Sequence, residues 1–256
     1  MNTWSRSRYQ ALPLQQLHYF VIFGDIDESL PPLDSDRYRS IGVPEGVEME
    51  FASRKESAEL WEQFQKGPAW ESLQSSSPSL GEAISQSPTC VVVRGQIADG
   101  DSLEPLANIV GVITALLDTG GHAVYDVLTA TWFDSLTWRL SVFEPGLRGL
   151  SKLVVVHQEA TKDNGYWLYT SGMRRFARPD VSFRHVQPSL VPACQKIVEY
   201  LVDGMLDGAV VPNGKILSFK ASSEERDELN VRCDLAGGLD DQHFYNFYLE
   251  ISIISK

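Results

Sequence analysis

The chain lacks most of the marks from which a function is usually read. Its 256 residues include three cysteines, Cys90, Cys194 and Cys233, which lie far apart and form no C-x-x-C pair. That spacing excludes a disulfide framework and a cysteine-based zinc site, and predicts buried thiols in a reducing compartment. Positive charge is scarce, with 22 Lys and Arg against 34 Asp and Glu and a formal net charge of -12. Such a surface repels phosphate backbones and anionic lipid heads, so neither nucleic acid nor a membrane is an expected partner. No run approaches the roughly 18 apolar residues that a membrane-spanning helix requires. Arg6 and Arg8 precede an apolar stretch, but Gln15, Gln16 and His18 interrupt it and no small-residue cleavage pattern follows, so it fails as a signal peptide. A cytoplasmic protein is the expectation.

Catalytic signatures are missing too. No G-x-S-x-G elbow, phosphate-binding G-x-x-x-x-G-K-[ST] loop, G-x-G-x-x-G fingerprint or H-E-x-x-H helix occurs. Two groupings, His157 with Glu159 and Asp240 and Asp241 with His243, offer too few ligands of one hardness to define a metal site. No cofactor and no metal is therefore expected. Triads and carboxylate pairs assemble from distant segments, so catalysis as such stays open.

What is present is an ordinary globular composition, 43% hydrophobic and 22% charged, able to bury a sizeable core. The length suits one large domain over residues 1–256, with a division into 1–88 and 89–256 as the alternative. Leu17 to Phe23 is almost continuously apolar and predicts a central strand; Val47, Met49 and Phe51 alternate with Glu48 and Glu50 as a strand wet on one face. The segment between them, with Pro31, Pro32 and Pro44, reads as loop. Ser53 and Glu56 have capping-box spacing ahead of a helix carrying Ala58, Trp61 and Phe64, and the Ser-rich passage 72–79 reads as a linker.

Thr89 to Ile97 predicts a buried strand, and Leu103 to Asp118 a helix that is apolar nearly all round. Further strands are predicted over 124–127, 132–143 and 153–161, and a second strong helix over 189–206 with a stripe of Leu190, Cys194, Ile197, Leu201 and Met205. The acidic run Ser222 to Glu228 reads as a loop, and alternating strands around Val231 and Leu249 close the chain. Large aromatics such as Trp132, Trp138, Tyr166 and Trp167 are expected in cores. The fold class is α+β: a mostly antiparallel, mixed sheet with two main helices packed on it and shorter N-terminal helices.

Residues 152–185 form the most informative segment. Between Arg174 and Arg184 stand four arginines against Asp180, a positive patch in an acidic chain. Asn164-Gly165 predicts a two-residue hairpin loop, which fixes the pairing so that Glu159 faces Thr170 and His157 faces Gly172. Alternation then assigns Val154, Val156, Ala160, Trp167, Tyr169 and Met173 to a core face, and His157, Glu159, Thr170 and Gly172 to a polar one. If the strand continues, Arg174 joins His157, Glu159 and Thr170 there. Arg supplies a planar donor fork for carboxylate or phosphate, His a group that titrates near neutrality, and Thr a hydroxyl. The same residues also fit a solvated face on which Arg174 pairs with Glu159. Arg178-Pro179-Asp180 reads as a corner between strands.

The string Tyr169-Thr170-x-Gly172-Met173-x-x-Phe176-x-x-Pro179-Asp180, followed by a helix and then Asp207-Gly208, resembles the pattern of an uncharacterised family of bacterial domains. The helix at 103–118 followed by Gly121 to Asp126 is similar to that family's upstream segment. The resemblance covers roughly 103–217, with Ala177 where the family often has Gly. It implies a shared α+β fold and transfers no catalytic residue. Two functional readings follow. The first is a non-catalytic binding protein whose acidic surface meets a basic protein partner. The second is a small-anion-binding domain or an enzyme acting on an anionic substrate, with Arg174 as clamp, His157 as acid/base and Glu159 as its orienter.

Overall fold

In the computed structural model, which describes residues 4–28, 33–220 and 228–254, the fold is α+β and the chain forms two compact units, each built on its own sheet. The first holds Leu17–Ile97 and Ser102–Leu153; the second holds Ser5–Gln16, Ala98–Asp101 and the chain from Val154 onward. Residues 88 and 89 both lie inside the first unit.

The first unit contains strands β1 (Gln15–Gly24), β2 (Val47–Ser53), β3 (Thr89–Ala98), β4 (Gly121–Asp126) and β5 (Thr131–Asp134), ordered β2-β3-β1-β4-β5. Its helices are α1 (Ser35–Tyr38), α2 (Ala58–Phe64), α3 (Pro68–Ser76), α4 (Pro78–Gln86), α5 (Glu104–Asp118) and α6 (Ser135–Trp138). The apolar run of β1 is central because both its faces are covered. Val21 and Phe23 pack with Trp61, Phe64, Leu73 and Ile84 of α2 to α4. Phe20 points the other way and meets Trp138 edge-on at 5.8 Å, whose indole N–H bonds Thr114 of α5. Twelve of the fifteen residues of α5 are buried, as its all-round apolarity requires.

Three local expectations fail for identifiable reasons. The Ser-rich passage 72–79 is helical on both sides of Ser77, because Pro68 and Pro78 each open a helix in its first turn and Ser75 and Ser76 return their hydroxyls to the carbonyls of Glu71 and Ser72. The strand predicted over 132–143 ends at Asp134, whose carboxylate caps Thr137 and starts α6, continued by a π-helical turn at Arg139–Phe143. Ser53 and Glu56 form a turn, Glu56 N–H to Ser53 O, instead of the helix start, which falls at Ser57. The predicted loop around Pro31 and Pro32 and most of the acidic run, Ser222 to Asp227, lie outside the described residues.

The second unit contains β6 (Val155–Ala160), β7 (Tyr166–Ser171), β8 (Asp180–Val186), helix α7 (Val191–Leu206), β9 (Lys215–Lys220), β10 (Glu228–Gly237) and β11 (Phe247–Ile254). The strand order is β6-β7-β8-β11-β10-β9, antiparallel except for the parallel pair β8 and β11. The apolar stripe of α7, Cys194, Ile197, Leu201 and Met205, packs on Leu168, Val181, Phe183, Val231, Cys233 and Leu249. The alternate residues of those strands project from the outer face of the sheet. Among the described residues of both units, no helix is long and apolar enough to cross a membrane.

One carboxylate ties this unit's separate segments together. Asp99 receives Arg6 Nη1 on Oδ1 and Arg178 Nη1 on Oδ2, both at 2.8 Å, with all three side chains at most 2% exposed. The rest of each guanidinium is spent on backbone carbonyls. Arg6 donates to Phe176, Met205 and Leu206, and Arg178 to Gln10, Ala177, Gly208 and Ala209. The N-terminal strap, the segment after β3, the turn before β8 and the end of α7 are thereby joined at one point. Burial lowers the pKa of Arg6, the nearby charge of Arg178 lowers it further, and Asp99 opposes both.

Removing the carboxylate leaves two buried guanidiniums with no counterion. Asp99→Ala is expected to destabilise the unit by about 3–5 kcal/mol, whereas Arg8→Ala, which breaks an exposed pair with Asp207, costs about 1 kcal/mol or less. Hydrogen exchange of the α7 amides measures both; equal effects contradict the assignment.

Candidate functional site

The hairpin of β6 and β7 pairs three residues away from the predicted register. Its partners run Val155 to Ser171, His157 to Tyr169 and Glu159 to Trp167. The loop explains the difference. Thr161 N–H bonds Gly165 O and Asn164 N–H bonds Thr161 O, so three residues, Lys162 to Asn164, make the turn. Asn164 alone takes a positive φ, 60°, and its neighbour Asp163 is held by the Thr161 hydroxyl and by His185 Nδ1. This is a three-residue loop with a left-handed third position, not the two-residue turn that Asn-Gly suggests. A shift by an odd number of residues exchanges the faces that meet.

Trp167 and Tyr169 therefore leave the core face expected for them and join His157 and Glu159 on the outer face. The His157 ring stacks on Tyr169 at 4.6 Å and 17°, and the Tyr169 hydroxyl donates to Glu159. His157 Nε2 lies 2.8 Å from Ser171 Oγ. Trp167 lies against Tyr169 at 4.3 Å between ring centres, and its N–H donates to Ser182 of β8, whose hydroxyl donates to Glu250 of β11. A bulge in the β7–β8 pairing, with His185 at φ 55°, accompanies Arg184 lying over the Trp167 ring at 4.3 Å. Arg184 Nε stands 3.5 Å from the Glu250 carboxylate.

The segment between β10 and β11 lies over part of this face. His243 packs on Trp167 at 4.5 Å, and Phe244 stacks on Tyr248 at 4.4 Å while meeting Trp167 and Tyr169 edge-on. Gly237, at φ 72°, begins the segment beside Tyr248; a Cβ there would stand 2.8 Å from that ring. The far end is anchored by Asn246, whose amide donates to Asp180 Oδ2 and Arg178 O.

Of the four predicted site residues, His157 and Glu159 share the outer face, and Thr170 and Arg174 do not join them there. Thr170 is fully buried; its hydroxyl donates to Asp180 Oδ1 and accepts from Val181 N–H. Arg174 fails to extend the strand because Gly172, at φ 101°, turns the chain into a 3-10 turn at Met173–Phe176. Its guanidinium donates to Tyr245 O. Arg175 and Arg178 are buried, and the exposed Arg184 pairs with Glu250, so only half of the positive patch lies at the surface. Tyr169, Ser171, Ser182, His243 and Glu250 complete the cluster. The alternation of Ser182 and Arg184 with Val181 and Phe183, and of Glu250 with Leu249 and Ile251, marks an outer face; which strands adjoin is a long-range pairing that local pattern does not carry.

Electrostatically the cluster is mixed. Burial lowers the pKa of His157 below that of a free imidazole, and the nearby His243 adds to this while Glu159 opposes it. Burial thus favours the neutral imidazole, whose Nε2 can accept the Ser171 proton in one tautomer. Burial, then the bond to Glu159, raises the Tyr169 phenol. Among the described residues no group of three His, Cys, Asp or Glu side chains could hold a metal ion. The arrangement offers stacked rings, exposed carboxylate and a hydroxyl–imidazole pair.

No protein-family model, curated protein or solved structure matches the chain. The string from Tyr169 to Asp180 has a structural explanation in its own right: Thr170, the N–H of Met173 and Asn246 all donate to Asp180, and Arg178 reaches Asp99.

Complete burial pushes the Asp180 carboxyl up to about 7, against the pull of those donors. A carboxyl whose pKa is higher folded than unfolded stabilises most below its unfolded value and loses that contribution as pH rises toward 7. Wild type should therefore lose stability relative to Asp180→Asn between about pH 4 and 7. Denaturant titrations of the pair across this range measure the difference; a constant difference contradicts the assignment.

Proposed function

We propose that the chain is a non-catalytic binding protein that takes a basic protein partner, and that the outer face around Trp167 is where the partner's cationic side chains dock. The observation that carries this reading is Arg184: a guanidinium lies over the Trp167 indole with the Glu250 carboxylate beside it. Aromatic faces attract cations, and a neighbouring carboxylate adds direction to that attraction. Glu159 is exposed next to the same rings and gives an incoming Arg or Lys a second carboxylate of this kind. Acidity supports the reading at longer range. The segments of the first unit carry 18 Asp and Glu against 9 Lys and Arg, those of the second 16 against 13, so a basic partner is attracted by the whole chain. Three free, buried cysteines fit a cytoplasmic setting.

A second reading rests on the contact between Ser171 Oγ and His157 Nε2. It makes the protein an enzyme acting on an anionic substrate, with His157 as the base and Ser171 as the group it activates. Glu159, its expected orienter, receives the Tyr169 hydroxyl. Arg174, its expected clamp, donates to a backbone carbonyl.

Fluorescence anisotropy with a labelled arginine-rich peptide at low and high salt tests the first reading. Binding should weaken as salt rises, fall about tenfold in Trp167→Ala, and fall severalfold in Glu159→Gln. Affinity that ignores both salt and these substitutions overturns it. Treatment with a fluorophosphonate and mass analysis decides the second reading, which requires an adduct on Ser171 and fails without one.

A further inference from the structure

A second site lies on the helix side of the second unit's sheet, away from the outer face. A cleft of about 150 Å³ opens between the last turns of α7, the segment 209–212 and β9. Its wall is apolar: Leu201, Met205, Val210, Val211, Pro212 and Leu217. A cavity of this volume with an apolar lining accommodates one benzene-sized group. Tyr200, 57% exposed, and two cations, Arg8 and Lys215, also line it. Arg8 is shared with the carboxylate of Asp207 at 3.3 Å, whereas Lys215 is exposed.

Gly204 is the most telling lining residue. It sits inside α7, where glycine destabilises a helix relative to alanine. Nothing in the backbone requires it, since its φ is not positive and a Cβ there would meet no atom within 4 Å. The missing side chain therefore serves no packing contact; what it leaves is the open space of the cleft. An apolar lining with open space beside a glycine and two cations among its residues offers a ligand two chemical features at once.

We propose that this cleft binds a small organic carboxylate, its benzene-sized apolar group seated on Val210, Val211 and Leu217 over the buried Leu201 and Met205, and its carboxylate paired with Lys215, with Arg8 as the second cation. The site is independent of the outer face and of the proposal made for it.

The probe is 3-phenylpropionate, with 3-phenylpropanol as its uncharged counterpart, read by amide chemical shifts of the intact protein. In wild type the acid should shift Gly204, Val210 and Val211 saturably, and the alcohol should bind about tenfold more weakly. Lys215→Ala should bring the acid most of the way down to the alcohol's affinity, and Lys215→Ala with Arg8→Ala the rest. Gly204→Leu should fill the cleft and abolish binding. Gly204→Ala adds one methyl group and favours the helix, so it keeps the test valid if the larger side chain prevents folding; it should weaken binding without lowering the melting temperature. The proposal is overturned if wild type shows no saturable shifts, if acid and alcohol bind equally, or if neither Gly204 variant changes the affinity.

Discussion

A single buried carboxylate governs the second unit. Asp99 holds two guanidiniums that would otherwise repel each other in a poorly solvated interior, and each guanidinium in turn satisfies carbonyls from segments remote in sequence. Burying three charges is costly, and only complete pairing and hydrogen bonding offsets the cost. Completeness fixes position. With Arg178 locked to Asp99, Pro179 leads into the first residue of β8, and Asp180 stands where Thr170 and the Met173 N–H can reach it. Asn246 then binds Asp180 and the Arg178 carbonyl, which anchors the segment bearing His243 and Phe244 over the outer face. The candidate site is thus held from beneath by a buried polar network.

The outer face owes its chemistry to alternation. Each strand supplies every second residue, and the row across the sheet reads His157, Tyr169, Ser182, Glu250 and Asp234. Such a row has no apolar core to join, so its rings stack on one another and its polar groups bond sideways. The Trp167, Ser182 and Glu250 relay is the clearest case, and Arg184 caps it. The Trp167 ring already carries Arg184 and packs on Tyr169 and His243, so under the proposed function a partner's cation would take the place of Arg184 or pair with the exposed Glu159.

Much of the framework could be read from the chain. β1, α5 and α7 are marked by unbroken or periodic apolar runs, and burial of those runs is what the structure achieves. In the first unit, where the structure departs from the pattern, a local polar interaction overrules it. Asp134 caps a helix amid aromatic residues that favour a strand, and serine hydroxyls of α3 return to their own helix instead of breaking it. For the site, His157 and Glu159 were legible because charged residues alternating on one strand signal a polar face. Trp167 and Tyr169 were misplaced because one left-handed asparagine lengthened the turn, and Arg174 because a left-handed glycine ended the strand. Asp99 had no local signal at all: its partners lie 93 and 79 residues away.

The proposed docking of a partner's cation at the outer face is tested at Trp167. Its indole N–H, bonded to Ser182, gives a resolved resonance in nitrogen-edited spectra. On titration with an arginine-rich peptide, this resonance should shift together with the ring signals of Tyr169 and His243, and Glu159→Gln should reduce the shifts. An indole signal that stays fixed while the peptide binds elsewhere would contradict it.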